Sequence, residues 1–252
     1  TPSGARALLN TMDYGPSLNL CRDERFYDQI TGAFCSGSLV APDVVMTAGH
    51  CIKAEIDCDG AMLVFGFAVN KKGKLPREVA MKDVYSCTKI LGREQVADGA
   101  DWALIKLDRP VKDHAPLKIN KAGNIKEKTP LVVIGHPAGL PTKIAGGAKV
   151  TSNTASGYFV ADLDTYGGNS GSAVFNAKTG LIEGILVRGE TDYVSRGSCV
   201  VSNVCKTSGC RGEDVTRANI VAAKLPAARH RGRVAELDET FASALDAVSD
   251  AR

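Results

Sequence analysis

The sequence predicts an all-β fold that is made of two β subdomains and ends in one amphipathic helix. Short apolar runs bounded by Gly, Pro, Asn and Asp recur along most of the chain, which is typical of strands. A polar stretch rich in Pro and Lys, residues 108–130, separates two groups of these runs. The 252 residues are enough for one large domain or two compact ones. We therefore expect a ligand site between two subdomains.

The predicted strands are runs whose length and β-branched content favour strands over helices. They are residues 38–40, 44–47, 62–65, 103–107, 131–134, 173–175 and 182–187. After residue 231 the hydrophobic period changes to that of a helix, with acidic residues between the apolar ones. The apolar positions of this predicted helix are Val234, Leu237, Phe241, Leu245 and Val248. The basic segment 217–233 is interpreted as a solvated linker, with contact to an acidic surface as the alternative.

Charge balance and hydropathy exclude several classes of function. The chain has 31 basic and 28 acidic side chains, a net charge of +3, which is too small over this length to indicate a nucleic-acid partner. The longest aliphatic runs, such as residues 131–134, are far shorter than the ~18 apolar residues that cross a bilayer. We expect a monomer with no nucleic-acid partner, no membrane span and no cofactor.

The eight cysteines indicate disulfides and an oxidising compartment, because their number is even and no paired CxxC motif is present. They are Cys21, Cys35, Cys51, Cys58, Cys87, Cys199, Cys205 and Cys210. Cys205 and Cys210 have a ligand-like gap, yet no second close pair completes a zinc set, so no metal site is predicted. The N-terminus lacks Met and a signal segment, which we interpret as a mature or trimmed form of a secreted or periplasmic protein.

Three short segments carry residues that suit acyl transfer. His50 follows an apolar strand, Asp101 opens another strand, and Ser170 lies in a glycine-rich turn before a third. A serine hydroxyl is a weak nucleophile at neutral pH, and an imidazole, whose ordinary pKa is about 6.5, suits the removal of its proton. A buried carboxylate orients such an imidazole and stabilises the imidazolium. We therefore predict Ser170 as nucleophile, His50 as base and Asp101 as the residue that orients the base.

The turn around Ser170 also suits the binding of an oxyanion. Glycines beside a nucleophile let backbone N–H groups converge without obstruction by side chains. The N–H groups of Gly168 and Ser170 are therefore the predicted oxyanion hole.

The same three segments, in the order His, Asp, Ser, resemble the motifs of the trypsin/chymotrypsin-like serine endopeptidases. They read Thr-Ala-Gly-His-Cys at 47–51, Asp-Trp-Ala-Leu at 101–104 and Gly-Asn-Ser-Gly-Ser at 168–172. The third motif and Gly-His-Pro at 135–137 are more similar to the bacterial V8-like (glutamyl endopeptidase-like) branch. The resemblance covers about residues 26–190.

The resemblance implies a chymotrypsin-like fold of two six-stranded antiparallel β-barrels, with the triad in the cleft between them. The chain then divides into an N-terminal extension (1–25), a first barrel with His and Asp (26–118), a second barrel with Ser (119–228) and the C-terminal helix (229–252). The resemblance also implies a disulfide between Cys35 and Cys51 that pins the histidine loop. Among the connectivities open to the other six cysteines, Cys58 with Cys87 is favoured by proximity to neighbouring strands.

The side-chain preference is predicted from Asp164, six positions before Ser170. In trypsin-like enzymes this residue lies at the base of the substrate pocket, and Thr165 stands beside it. A buried carboxylate there favours Lys or Arg before the scissile bond. The alternative is an acidic preference, because Arg188 could neutralise Asp164. V8-like enzymes, however, resemble each other in a pocket histidine on the strand that corresponds to residues 184–189, where this chain has none.

Two further expectations follow from the resemblance. The edge formed by Val187, Arg188 and Gly189 is expected to hydrogen-bond an extended substrate as an added strand. In the animal enzymes the residue immediately before the serine is an acid, and this acid pairs with an N-terminal ammonium created by cleavage. This chain has Asn169 there, so we do not expect activation by that ion pair.

Two other functions compete with this prediction. An α/β-hydrolase esterase needs Gly two residues on both sides of its serine, but Ser172 occupies one of these places and the chain order differs. A non-catalytic binding protein on a protease fold typically lacks a triad member, and all three are present. The predicted function is a secreted serine endopeptidase that cleaves peptide or protein substrates, with a preference for Lys or Arg. An acidic preference and a non-catalytic protease-like binding protein are the alternatives.

Overall fold

The computed structural model describes residues 4–123, 125–205 and 209–226, which form a predominantly β structure in two parts. The elements before the first part are β1 (Arg6–Leu8), β2 (Met12–Asp13), α1 (Tyr14–Ser17) and β3 (Ile30–Thr31). The first part contains β4 (Ser38–Ala41), β5 (Val44–Thr47), α2 (Glu55–Gly60), β6 (Met62–Val64), β7 (Glu78–Ala80), a 3₁₀ turn (Met81–Asp83), β8 (Val84–Gln95) and β9 (Asp101–Leu107).

Five of these strands form an antiparallel sheet in the order β4, β5, β9, β8, β6. The central strand β9 has neighbours on both sides, and all of its residues except Lys106 are buried. This explains why residues 102–105 of β9 are a continuous apolar run rather than an alternating one.

The first part differs from the six-stranded barrel that we predicted, because it has five strands and is not closed. The strand β7, which lies between β6 and β8 in the chain, pairs with β1, so that Arg6 stands opposite Ala80. The stretch before β7, residues 70–77, contains Lys, Gly and Pro, which interrupt a strand. The predicted domain limits remain predictions.

The second part is a closed barrel of six strands, as predicted. Its elements are β10 (Pro130–Gly135), a 3₁₀ turn (Pro137–Gly139), β11 (Lys143–Ser152), β12 (Tyr158–Ala161), β13 (Ala173–Asn176), β14 (Ile182–Arg188), β15 (Tyr193–Arg196), β16 (Cys199–Ser202), β17 (Glu213–Arg217) and α3 (Ala218–Ala222). The barrel closes in the order β10, β11, β12, β17, β14, β13. β15 and β16 form a separate hairpin.

Three apolar clusters stabilise this arrangement by burying side chains from water. One lies in the first part around Ile105, and a second lies in the barrel around Phe159. A third cluster contains Leu104 of β9 and Ile185 of β14, and it joins the sheet to the barrel. Loops that leave either side of this shared cluster are therefore brought together, although they are far apart in the sequence.

All eight cysteines are paired. The four disulfides are Cys21–Cys199, Cys35–Cys51, Cys58–Cys87 and Cys205–Cys210. The second pair is the one that the resemblance implies, and the third is the one that we favoured from the proximity of neighbouring strands. Cross-links of this kind restrict the unfolded chain and so stabilise the folded one.

The helix at the end of the described chain is short and follows the last barrel strand directly. The predicted amphipathic helix, residues 229–252, lies outside the described residues. Among the helices that are described, none is long and apolar enough to span a membrane.

Candidate active site

His50 lies in the tight loop that follows β5. The residue before it must be glycine, because a Cβ on Gly49 would lie 2.2 Å from the carbonyl oxygen of Glu94 and 3.0 Å from Oδ1 of Asp101. The residue after it, Cys51, is cross-linked to Cys35. The histidine loop is therefore held against β8 and β9 on one side and by a disulfide on the other.

The Asp101 carboxylate contacts His50 at two points. Its Oδ2 lies 2.7 Å from Nδ1 of the imidazole, and its Oδ1 accepts the backbone N–H of His50 at 3.1 Å. The Asp101 side chain is 4% exposed and that of His50 is 29% exposed. A buried carboxylate that accepts a hydrogen bond from Nδ1–H keeps the proton on Nδ1 and leaves Nε2 free to act as a base.

Asp101 is itself held by Thr216, a fully buried residue of β17 in the barrel. The Thr216 hydroxyl accepts the backbone N–H of Asp101 and donates to its carbonyl oxygen, both at 3.0 Å. The orientation of the imidazole thus depends on a contact between the two parts of the molecule. Thr216 was not among the predicted site residues, because its neighbours in the sequence form no motif that points to such a role.

Ser170 lies in a turn between glycines that have backbone angles unfavourable for other residues. Gly168 has φ of +89° and Gly171 has φ of +90°. A Cβ on Gly168 would lie 2.7 Å from the Gly139 nitrogen, and one on Gly171 would lie 2.1 Å from the Ser36 carbonyl oxygen. These close approaches explain why the motif requires glycine on both sides of Asn169-Ser170.

The serine turn packs directly on the histidine loop. The Ser170 carbonyl accepts the N–H of Ser36 at 2.8 Å and lies 3.8 Å from Sγ of Cys51, the neighbour of His50. The Ser36 hydroxyl also donates to the Gly168 carbonyl at 2.9 Å. Ser36, which we did not predict, is thus a bridge between the two loops.

The donor groups of the serine turn that would take part in acyl transfer have no hydrogen-bond acceptor in the described part of the chain. Within residues 4–123, 125–205 and 209–226, the N–H groups of Gly168 and Ser170 donate no hydrogen bond. Within the same residues, the Ser170 hydroxyl forms no hydrogen bond with His50 or with any other group. Both amides are therefore available to an oxyanion. Hydrogen bonds between a nucleophile and its base are often long in unliganded enzymes and tighten when substrate binds.

Asn169 is buried, and the hydrogen bonds that it forms with other described residues are all between neutral groups. Its Oδ1 accepts the Ser172 hydroxyl at 3.2 Å, and its carbonyl oxygen accepts the Ser172 N–H at 2.8 Å. A neutral amide at this place does not require a buried cation as partner.

A cleft of about 120 Å³ opens beside Ser170. Its walls include Tyr166, Asp192, Glu213 and residues 186–190, at the end of β14. Burial raises the pKa of Glu213 to about 7. Burial also raises the pKa of Asp192, although its Oδ2 accepts the Gly167 N–H at 2.7 Å. The cleft presents three acidic residues, Glu190, Asp192 and Glu213, and none of them forms an ion pair within the described part of the chain.

Gly189 makes room for the carboxyl group of Glu213. A Cβ on Gly189 would lie 2.0 Å from Oε2 of Glu213, so any larger residue would push the carboxyl group away. Gly189 is thus the one residue of the predicted substrate-binding edge whose lack of a side chain shapes the cleft.

Asp164, which we predicted at the base of the substrate pocket, and Thr165 are not among the residues that line this cleft. Asp164 is exposed, in an irregular segment after β12. The acidic group comes instead from Glu213 on β17, a strand adjacent to β14 in the barrel. Glu213 could not be found by counting residues back from Ser170, because it belongs to a strand that comes later in the sequence.

Arg188 does not neutralise Asp164, contrary to the alternative that we considered. Its Nε donates to Oδ2 of Asp214 at 2.9 Å, and its guanidinium also donates to the Gly99 carbonyl at 2.9 Å. The cleft is also lined by the three residues of the predicted substrate-binding edge, Val187, Arg188 and Gly189.

Two groups of potential metal ligands occur among the described residues, and both contain a disulfide. They are Cys35, His50 and Cys51, and Glu190, Cys205 and Cys210. Because metal binding by cysteine requires the thiolate, neither disulfide supplies sulfur ligands.

A model of the family described as the trypsin-like peptidase domain matches residues 35–185, which is more than half of the chain and includes His50, Asp101 and Ser170. The chain belongs to the trypsin-like peptidase domain family. The trypsin/chymotrypsin-like resemblance of its three motifs is confirmed.

Among curated proteins, this trypsin-like domain is similar to members of the chymotrypsin-like elastase family. It is 34% identical to member 3A of Homo sapiens and 35% identical to member 3B of Macaca mulatta, in each case over 105 residues. These matches cover 40% of this chain, and 38% and 40% of the two relatives. The matched region thus spans about two-fifths of the length of these relatives.

Two solved structures resemble this trypsin-like domain at low sequence identity. The structure of a Glu endopeptidase in complex with MPD has a TM-score of 0.53 at 17% identity and covers 88% of this chain and 98% of that one. The human heparin binding protein has a TM-score of 0.51 at 15% identity, with coverages of 80% and 89%. At these identities the likeness shows the fold alone, and it confirms the predicted all-β, chymotrypsin-like class.

Proposed function

We propose that this trypsin-like domain is a serine endopeptidase. In the proposed reaction, the Ser170 oxygen attacks the carbonyl carbon of the scissile bond while His50 accepts the hydroxyl proton, and the imidazolium then protonates the leaving amine. Water, deprotonated by the same imidazole, hydrolyses the acyl-enzyme, and the proton returns to Ser170. The observation that carries this proposal is the two-point contact between Asp101 and His50.

The proposed oxyanion hole consists of the N–H groups of Gly168 and Ser170. Their lack of any acceptor in the described part of the chain supports this role, since unpaired donors need no rearrangement when charge develops on the carbonyl oxygen. The close packing of Gly168 on Gly139 supports it further, because a donor must be held in place to act.

We propose a preference for Lys or Arg before the scissile bond, with Glu213 rather than Asp164 as the acidic group. Three acidic residues in a small cleft, Glu190, Asp192 and Glu213, disfavour an acidic substrate side chain and favour a cation. Arg188 offers little to an acidic side chain, because it is already paired with Asp214. The substrate backbone would pair with the edge formed by residues 187–189.

The proposed place of action is outside the cytoplasm, in a secreted or periplasmic setting. Four disulfides join all eight cysteines, and such bonds persist in oxidising compartments. The proposed substrates are accordingly peptides or proteins that are exposed there.

A fluorophosphonate probe together with peptide hydrolysis tests the proposed activity. We expect wild-type protein to be labelled at Ser170, and Ser170→Ala to lose labelling and about 10⁴- to 10⁶-fold in kcat, with an unchanged circular dichroism spectrum. The variant Ser198→Ala, at an exposed serine, serves as the control and should retain both. Equal activity of wild type and Ser170→Ala would show that the nucleophile is misassigned. A folded wild type that is neither labelled nor active would favour the non-catalytic binding protein.

A further inference from the structure

A segment near the N-terminus, residues 14–33, packs on the part of the barrel that carries the serine turn. We call it the N-terminal strap. Its buried Tyr14 and Leu20 form an apolar cluster with Leu140, and Tyr193 packs against this cluster. None of these side chains takes part in the proposed chemistry, yet the segments that they join flank the oxyanion donors.

The strap is bound to the hairpin of β15 and β16 by a covalent link and by backbone pairing. A disulfide joins Cys21 to Cys199. The N–H of Cys21 donates to the Val200 carbonyl at 2.9 Å, and the N–H of Val200 donates to the Asn19 carbonyl at 3.0 Å. This pairing fixes the hairpin in one register relative to the strap.

Two side-chain contacts add to this link. The hydroxyl groups of Tyr14 and Tyr193 are hydrogen-bonded at 2.7 Å. The Ser202 hydroxyl donates to the Glu24 carboxylate at 2.7 Å. Both strands of the hairpin are therefore tied to the strap at its open end, where Tyr193 of the first strand lies opposite Ser202 of the second.

The same strap also binds the loop of residues 136–140. The N–H groups of Gly32 and Ala33 donate to the Gly139 carbonyl at 3.0 and 3.2 Å. The Thr31 hydroxyl donates to the Ala138 carbonyl at 2.6 Å. The strap therefore joins the hairpin, which lies between β14 and β17 in the sequence, to the loop that connects β10 to β11.

Both segments contact the serine turn directly. The Ala138 N–H donates to the Gly167 carbonyl, while the Gly167 N–H donates to Asp192, the residue before β15. Tyr193 packs on Tyr166, with ring centroids 5.4 Å apart. The peptide groups on either side of Gly167 are thus held from two directions, and the second of these groups contains the proposed donor N–H of Gly168.

We infer that the N-terminal strap positions the oxyanion donors of the serine turn, with Tyr14, Tyr193 and the Cys21–Cys199 disulfide as positioning residues. This inference rests on the proposed peptidase function. A donor that is displaced from the developing oxyanion loses most of its effect, and loss of one such donor lowers kcat by about 10²- to 10³-fold in serine peptidases. Release of the strap should therefore lower kcat while the contact between His50 and Asp101 remains.

The test compares two disulfide removals in the full chain. The strap variant is Cys21→Ser/Cys199→Ser, and the control is Cys58→Ser/Cys87→Ser, whose disulfide lies in the core of the first part. Both are assayed on the same peptide amide at a temperature at which thermal unfolding curves show each to be folded. We expect the strap variant to lose at least tenfold in kcat, and the control to stay within about threefold of wild type. The pH profile of kcat/KM should keep its acidic limb, because the imidazole and its carboxylate are not in the strap.

A double-mutant cycle on the tyrosine pair provides a second readout. Tyr14→Phe and Tyr193→Phe should each lower kcat severalfold, and the double variant should lose no more than either single variant, since both remove one hydrogen bond. If the strap variant does not fold, the double-mutant cycle alone tests whether the strap positions the oxyanion donors. The inference is overturned by wild-type kcat in the strap variant or in both tyrosine variants, or by an equal loss in the disulfide control. Failure of the peptidase proposal differs from all of these, because wild type itself would then be inactive.

Discussion

Asp101 holds His50 through both carboxylate oxygens, one on the ring and one on the backbone, while Thr216 holds the backbone of Asp101 on the side of the barrel. The imidazole is therefore oriented by a chain of contacts that begins in one part of the molecule and ends in the other. Each of these contacts can be removed by a separate substitution.

Replacement of Asp101 by Asn should lower kcat by about 10³- to 10⁴-fold, because an amide that donates to Nδ1 favours the tautomer in which Nε2 carries the proton. Peptide hydrolysis by purified protein measures this loss. The variant Asp98→Asn, at an exposed acid near the same strand, should behave as wild type. A loss of less than tenfold in Asp101→Asn would contradict the assigned role.

Replacement of Thr216 by Val should lower both stability and kcat. The change leaves the N–H and the carbonyl of Asp101 without a partner in a buried place, and each unsatisfied group costs about 1–3 kcal/mol of unfolding free energy. Thr216→Ser keeps the hydroxyl and should recover most of the lost kcat. Denaturant unfolding and peptide hydrolysis measure the two effects. Equal kcat in the Val and Ser variants would show that Asp101 is positioned without Thr216.

The charge of Glu213 should make the preference for basic substrates depend on pH. Its pKa of about 7 means that the carboxylate forms as pH rises through neutrality, with Asp192 opposing ionisation and Arg211 favouring it. We expect the ratio of kcat/KM for an arginine peptide to that for its citrulline analogue to rise about tenfold between about pH 6 and about pH 8. The state of His50 cancels in this ratio, since both peptides use the same base.

Two variants check the origin of this pH dependence. Glu213→Gln should give a low ratio that is flat with pH, whereas Asp164→Asn should follow wild type, because Asp164 is exposed and outside the lining of the cleft. The reverse pattern would restore Asp164 as the specificity residue.

The same raised pKa should appear in the stability of the folded protein. The pKa of Glu213 rises from 4.5 to about 7, so the folded state keeps a proton that the unfolded state has already lost. The stabilisation from this group is complete below pH 4.5 and is lost as pH rises through 7. The unfolding free energy of Glu213→Gln relative to wild type should therefore increase across this interval. Denaturant unfolding at several pH values measures it, and a difference independent of pH would mean that Glu213 is not perturbed.

The predictions from sequence succeeded where a feature depends on neighbouring residues. The short apolar runs bounded by turn residues predicted the strands, and the glycine-rich segment predicted a tight turn at Ser170, because Gly168 and Gly171 adopt angles that suit glycine. The disulfide between Cys58 and Cys87 also follows from nearby elements, since it joins α2 to β8.

The features that could not be predicted from sequence are those in which the partner of a residue comes from a distant strand. The first part remains an open sheet because β7 pairs with β1, and nothing in the sequence of β7 selects that partner over β6. Asp164 has the expected spacing from Ser170, but its side chain is in solvent while Glu213 reaches the cleft. Spacing along the chain does not determine the direction in which an irregular segment turns its side chains.

The sequence by itself determined the all-β class, the family and the three reactive side chains whose roles we propose, because these depend on hydrophobic period and on short motifs. Only the tertiary structure decided which groups hold and surround those side chains. Thr216 contacts Asp101 from 115 residues away, and Cys21 meets Cys199 across 178 residues. Such contacts arise from the pairing of strands and the burial of shared apolar surface, which are properties of the whole chain and not of any local segment.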